Sequence, residues 1–332
     1  MKEEMNLLPK DLTTTKITND VGEDAVHVYE PETITAVNAA LAIHRPLLVW
    51  GETGIGKSQL ARAVARELKR VFIPFVCDVH TEPRDLLWHF DAVARLADAQ
   101  IQGAIPAEER KADTLDIENY IVPQALWWAL NWDEAKKMKR ASPPTYQSPC
   151  DPENGVVVLI DEIDKTASDV PNGLLEALGN RSFHPQGMEP VEADKAGVAP
   201  LVIVTTNGER NLPDAFIRRC LSLRLDFPAD EDRQRELLVK RGRENFSEFE
   251  KIQVEDGQGK PVSLLEQAAN YLIEDRKAAE ARRLYPLCGQ AEYFDLLRGI
   301  KKLEKQEHGS PGELLNELRR YTYQKLTQDP AG

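Results

Sequence analysis

The chain has 332 residues, 42 Lys and Arg against 55 Asp and Glu, a net charge of -13 and 42% hydrophobic residues. That length fits one large domain or two medium ones, each able to bury a core without disulfide or metal staples. The acidic balance argues against a general nucleic-acid binder, whose surface would be basic. Cys77, Cys150, Cys220 and Cys288 lie far apart with no C-x-x-C, which excludes a disulfide scaffold and points to reduced thiols in a cytoplasmic protein. No leader-like segment stands near Met1, and apolar runs stop at about five or six residues, far below the ~20 that span a bilayer, so no membrane partner is expected.

In chain order, residues 1 to about 22 are polar and read as a tail. Pro31 to Ile43 is helical, with Ile34, Val37, Ala40 and Leu41 on one face. Pro46 to Trp50 is a short buried strand that runs into a glycine-rich turn, and a second amphipathic helix covers Ser58 to Arg70. Val71 to Val76 is the next strand, and Pro83 to about Gln100 reads as a helix carrying Leu86, Leu87, Phe90, Val93 and Leu96 on one side. Loop follows between Gly103 and Asp113. Trp88, Trp127, Trp128 and Trp132 cluster in a block that interrupts the α/β alternation and reads as a small core, closed by the basic run Lys136, Lys137, Lys139 and Arg140, expected to be a solvated helix end.

Alternation resumes with the continuous apolar strand Val156 to Ile160, a helix from Ser168 to Leu178, and a loop or hairpin over residues 181–200. Leu201 to Thr205 is another buried strand, then come a short helix over Asp214 to Arg219 and a strand from Leu221 to Phe227, punctuated by Pro228. Residues 229–304 read as successive helices, and Glu313 to Lys325 as a last one after Gly309-Ser310-Pro311.

Four patterns carry chemistry. Residues Gly51, Glu52, Thr53, Gly54, Ile55, Gly56, Lys57 and Ser58 match G-x-x-x-x-G-K-[ST], between a strand and a helix; with Gln59 next in line they are the candidate nucleotide-binding residues. Glycines let the backbone wrap a polyphosphate, Lys57 offsets β/γ charge and the Ser58 hydroxyl is a Mg²⁺ ligand. The strand Val156 to Ile160 ends in Asp161-Glu162: Asp161 for the Mg²⁺ shell, Glu162 to orient and polarise the attacking water. Asn207, after a third buried strand, is placed to bridge the γ-phosphate and that water, though Asn before Gly208 is also a common turn pair. Arg218 and Arg219 end a short helix, where a guanidinium offered to a neighbouring subunit's γ-phosphate stabilises transition-state charge; Arg219 is preferred. Cys77 and His80 form C-x-x-H with no second pair, too little for a zinc site.

Phosphate loop, hhhhDE strand, TTN strand and LPDAFIRRC arrive in one order and resemble an AAA+ ATPase, more closely its MoxR-type branch, over roughly residues 28–304. The stretch TEPRDLLWHFDAVARLADAQ resembles that branch's insertion near the second helix. The resemblance implies an α/β P-loop NTPase (AAA+) with a parallel-sheet core and a C-terminal helical lid domain. The expected division is a polar tail over 1–22, a core over 23–228 with an insertion at about 83–132, a lid over 229–304 and a terminal helix within 305–332. It further implies ATP and Mg²⁺ as cofactors, a homo-oligomeric ring, usually a hexamer, with ATP at subunit interfaces, and chaperone-like remodelling of a protein partner carrying a von Willebrand factor A domain. Family lids place an arginine at the start of a lid helix. The comparable stretch, Cys288-Gly289-Gln290-Ala291-Glu292-Tyr293, has none, leaving Arg282 or Arg283 as substitutes. That departure keeps open a second class, an ATP-gated assembly module with little turnover. A DNA motor or loader is a third.

Overall fold

The computed structural model describes residues 6–18, 22–106, 115–195 and 197–324. The described chain divides into two compact units that do not follow chain order: a sheet unit of residues 6–12, 29–50 and 60–223, and a helical unit of residues 13–28, 51–59 and 224–324.

The helical unit begins with an antiparallel hairpin of β1 (Thr14–Thr18) and β2 (Asp24–Val28). The segment expected to be a tail therefore carries a strand, favoured by the β-branched Thr14, Thr15, Ile17 and Thr18. In the sheet unit, α1 (Pro31–Ile43) opens with Pro31 at its first turn and closes on His44 in the left-handed region. Next come β3 (Leu47–Gly51), α2 (Lys57–Glu67) and β4 (Val71–Val76).

The expected helix over 83–100 is not one element. A single 3-10 turn, Pro83–Leu86, leads into β5 (Trp88–Phe90), and α3 (Ala92–Ala104) starts only after Asp91, whose carboxylate caps the Ala94 N–H. Leu86, Leu87 and Trp88 are buried, but Val93, Leu96 and Ile101 of α3 are exposed, at 81%, 61% and 58%. The helix turns its charges inward instead: Arg95 donates to the Leu115 carbonyl, and Asp98 accepts from the Tyr120 hydroxyl and from Arg140. The expected loop between Gly103 and Asp113 falls largely outside the described residues.

β6 (Ile121–Pro123) pairs with β5, and α4 (Ala125–Leu130) is buried at every position. Trp127 packs edge-on to Phe183 at 5.4 Å and Trp128 to Trp132 at 4.9 Å, so the tryptophan-rich block is core. α5 (Trp132–Lys137) carries part of the basic run. Arg140 departs from the solvated reading, pairing with Asp91 and Asp98 over the Tyr120 ring.

β7 (Val156–Asp161) is followed by two short helices, α6 (Asp169–Gly173) and α7 (Leu175–Gly179), where one was expected; Gly173 sits where a Cβ would lie 2.6 Å from Pro83. The hairpin within 181–200 is β8 (Ser182–Phe183) with β9 (Val191–Glu192). Then come β10 (Leu201–Thr206), α8 (Asp214–Ile217) and β11 (Leu221–Leu225). The five main strands lie in the order β11-β3-β10-β7-β4, with parallel pairing of β3, β10, β7 and β4. All six residues of β10 are buried, as are the first five of β7, which explains their unbroken apolar runs.

The helical unit resumes with α9 (Glu231–Asn245), a hairpin of β12 (Gln253–Glu255) and β13 (Pro261–Ser263), then α10 (Leu264–Ala281), α11 (Gln290–Glu304) and α12 (Pro311–Thr322). The β12-β13 hairpin interrupts what periodicity reads as helix alone. A core of Leu238, Phe249, Leu265, Leu272, Tyr293 and Leu297 holds these helices, and Ile55 of the glycine-rich segment joins it.

Candidate nucleotide site

In the sheet unit, three neighbouring strands present the candidate residues at their carboxyl ends. Trp50, the last β3 residue of this unit, lies opposite Thr206 of β10, and Ile160 of β7 lies opposite Val204. Asp161 and Glu162 thus follow one strand and Asn207 the next, the edge at which open parallel sheets bind ligands.

One hydroxyl joins the two. Thr205 Oγ1 donates to Asp161 Oδ1 and accepts from the Glu162 N–H at 2.9 Å. Glu162 itself adopts φ 58°, a left-handed conformation uncommon for a residue with a side chain. Its Oε2 accepts from Lys165 Nζ at 2.6 Å, and that hydrogen bond raises the Lys165 pKa above its ordinary value. Asp164, 1% exposed, accepts at Oδ2 from the N–H groups of Asn207 (3.1 Å) and Glu209 (2.9 Å), fixing the turn after β10. Thr205, Asp164 and Lys165 were missed in the sequence. The run Asp-Glu-Ile-Asp-Lys held the signal, a third carboxylate three residues after Asp161.

Cys77 hydrogen-bonds through its N–H to the Asp161 carbonyl (2.9 Å), and burial, then the carboxylates of Asp161, Asp78, Glu162 and Asp164, push its thiol up to about 12. The C-x-x-H partner His80 is exposed.

In the helical unit, the glycine-rich segment Gly51–Gln59 forms a tight loop ahead of the rest of α2. Gly54 and Gly56 take φ of 81° and 105°, and a Cβ on Gly54 would come within 2.7 Å of the Ala291 methyl. Lys57 is 6% exposed, and its Nζ donates to the carbonyls of Gly51 (2.8 Å) and Glu52 (2.9 Å), so the ammonium is held over the loop it would serve. Ser58 and Gln59 are half-buried, Thr53 and Glu52 exposed. Backbone N–H groups at the start of a long helix, a fixed ammonium and a hydroxyl suit a polyphosphate, and Ser58 and Asp161 are oxygen donors of the kind Mg²⁺ takes.

Arg218 and Arg219 are exposed at the end of α8, where Arg219 Nη1 donates to the Ala215 carbonyl (3.1 Å). They lie at the other end of the sheet: Leu221, two residues on, donates its N–H to the Pro46 carbonyl just ahead of β3. Arg282 and Arg283 are exposed at the end of α10, and α11 opens on the buried Gln290 and on Ala291. Among the described residues no His/Cys/Asp/Glu group of three or more forms a metal site, and no helix is long and apolar enough to cross a membrane.

A parallel sheet in which β3 runs into a glycine-rich phosphate loop and β7, one strand beyond β10, ends in Asp-Glu defines an α/β P-loop NTPase with a C-terminal helical region. The chain belongs to the AAA family: the profile of the AAA domain (dynein-related subfamily) matches residues 46–220 and so takes in all four motifs. It is thereby an AAA+ ATPase by family. Comparison with curated proteins finds no match.

Proposed function

We propose that this AAA+ protein is of the MoxR type and hydrolyses ATP with Mg²⁺ at the interfaces of a homo-oligomeric ring, most simply a hexamer. The cycle remodels or activates a protein partner, one with a von Willebrand factor A domain being the partner the resemblance implies, in the cytoplasm. The nucleotide-binding core extends through residue 228 with its insertion at 83–132, and 229–304 acts as the lid. Gly51 to Gln59 cradle the phosphates, Ser58 and Asp161 hold Mg²⁺, Glu162 activates water and Asn207 positions it.

The observation that carries the ring is the opposition of Arg219 and Glu162. Between them lie the height of the sheet, roughly 17–20 Å for six residues of strand, and three strand spacings, about 14 Å. An arginine there has no route to the carboxyl edge of its own sheet, which supports its service to a neighbour's γ-phosphate. Support for a protein partner comes from α3, whose outward face of Val93, Leu96, Ala97 and Ile101 is apolar and uncharged.

A second reading, an ATP-gated assembly module with little turnover, is favoured by the start of α11, which carries Gln290 and Ala291 where a cation would meet the γ-phosphate. Steady-state ATPase assays with and without DNA separate the readings. Turnover that DNA does not change supports the remodelling ATPase, near-zero turnover the assembly module, and DNA stimulation a motor or loader. Glu162→Gln should retain ATP and lose at least ~100-fold in turnover; near-native hydrolysis would remove Glu162 from its role.

A further inference from the structure

The phosphate loop carries a negative charge of its own at Glu52, in the midst of a segment that has to accept a polyanion. Across 224 residues of sequence, Arg276 of α10 answers it. Its Nη2 donates to both Glu52 carboxylate oxygens at 2.7 Å, and its Nη1 donates to the Cys288 carbonyl at 2.8 Å. The guanidinium also lies over the Phe227 ring, 5.1 Å from its centre. The Arg276 side chain is 11% exposed against 50% for Glu52, so the cation is shielded from water on one side and its field is weakly screened. Cys288 precedes Gly289 and Gln290, which meet the loop: a Cβ on Gly289 would lie 4.0 Å from the Thr53 carbonyl, and one on Gly56 3.7 Å from the Gln290 amide nitrogen. Of the neighbouring charges, Asp275 pairs with Arg319, Lys277 with Glu231, Glu292 accepts from the Gly289 N–H, and Arg241 donates to the Gln290 side-chain oxygen.

We propose that Arg276 sets the charge of the phosphate loop: it neutralises Glu52 and so makes nucleotide affinity depend on the net charge of the Glu52–Arg276 pair. The inference rests on the reading of Gly51 to Gln59 as a polyphosphate site. Arg276 is a positioning residue, acting through Glu52. The pair is neutral in the native chain, +1 in Glu52→Gln, -1 in Arg276→Ala and neutral again in the double variant. Because a polyphosphate is attracted by a positive charge beside it and repelled by a negative one, its affinity should follow that order.

The test is titration of the full chain and these variants with a fluorescent ATP analogue, at low and at 0.5 M salt. Expected are a loss of about fivefold or more for Arg276→Ala, a gain of about two- to fivefold for Glu52→Gln, and recovery in the double variant to within about threefold of native. The spread should narrow in high salt, and Arg276→Lys should stay nearer to native than Arg276→Ala. A pair that merely braces the fold would weaken binding in both single variants with no recovery in the double, and that result overturns the proposal. Equal affinities in all four proteins also overturn it, provided native binding is saturable and abolished by Lys57→Ala. If the native chain shows no saturable binding, the phosphate-loop reading falls first and the pair falls with it. Should Arg276→Ala not fold, the sign of the Glu52→Gln effect alone decides.

Discussion

Thr205 holds the Asp161 carboxylate by one end of its hydroxyl and the backbone of Glu162 by the other, so one buried β10 side chain fixes both residues at the carboxyl end of β7. Thr205 is fully buried, and no rearranged solvent would replace its two bonds. Thr205→Val keeps the shape and removes the hydroxyl. The expected outcome is turnover lowered by about 10–100-fold, in the range seen when a partner that orients a ligand is lost, with ATP affinity little changed. An ATPase assay beside an ATP titration checks this, and native turnover would show that the hydroxyl does not orient the pair.

Asp164 has a different task. Its Oδ2 gathers the N–H groups of Asn207 and Glu209, while its Oδ1 is buried with no hydrogen-bond partner among the described residues. Asp164→Ala would leave two backbone donors, those of Asn207 and Glu209, unsatisfied, at a cost of ~2–4 kcal/mol. Asp164→Asn retains an acceptor and should cost less. Denaturant unfolding of both variants gives the comparison, and an Asp164→Ala protein as stable as the native one would contradict the bracing of Asn207.

These two side chains also mark how far the sequence could be read. The glycine-rich loop, Asp161-Glu162, Asn207 and Arg218-Arg219 stand out as motifs because each occupies a few consecutive residues. Asp164 and Thr205 act through strand register, which pattern alone does not supply. Arg276 meets Glu52 only through the packing of distant segments. Periodicity found α1, β4 and β10 almost to the residue, but it reports that a helix has two faces, not which one meets water. In α3 the inward face is the one with Arg95 and Asp98, because Tyr120, Arg140 and the Leu115 carbonyl wait there for them. The β12-β13 hairpin was hidden in helical surroundings although Asp256, Gly257 and Gly259 mark its turn; the Asp256 carboxylate accepts from the Gln258 and Lys260 N–H groups.

His27 gives the helical unit a pH dependence. It is half-buried in β2, and the loss of hydration there, then the Arg241 guanidinium, push its imidazole from 6.5 down to about 3. The folded chain therefore keeps His27 neutral where the unfolded chain binds a proton. Its contribution is whole above about pH 6.5 and is lost as pH falls towards 3. Between pH 7 and pH 5 this amounts to ~2 kcal/mol. His27→Gln should lose that much less stability over the same interval, as read by thermal or denaturant unfolding at the two pH values. An identical pH response in both proteins would mean that His27 titrates normally.

The position of Arg219 leads to a test of the residue and the ring together. If hydrolysis needs an arginine from the next subunit, Arg219→Ala should be inactive with its own phosphate loop and Glu162 intact, and Glu162→Gln inactive with its own Arg219 intact. In a head-to-tail ring assembled at random from equal amounts of the two, about a quarter of the interfaces join an intact Glu162 to an intact Arg219. ATPase activity should then reappear from two inactive proteins, at roughly a quarter of the native rate if interfaces act independently. Mass measurement on differently tagged subunits establishes that they exchange. With exchange shown, silence in the mixture would refute the trans role of Arg219. Swapping in Arg218→Ala as the second protein distinguishes the neighbours: an Arg218→Ala protein that is active alone leaves Arg219 as the finger, whereas one that is dead alone and recovers with Glu162→Gln moves the role one residue earlier.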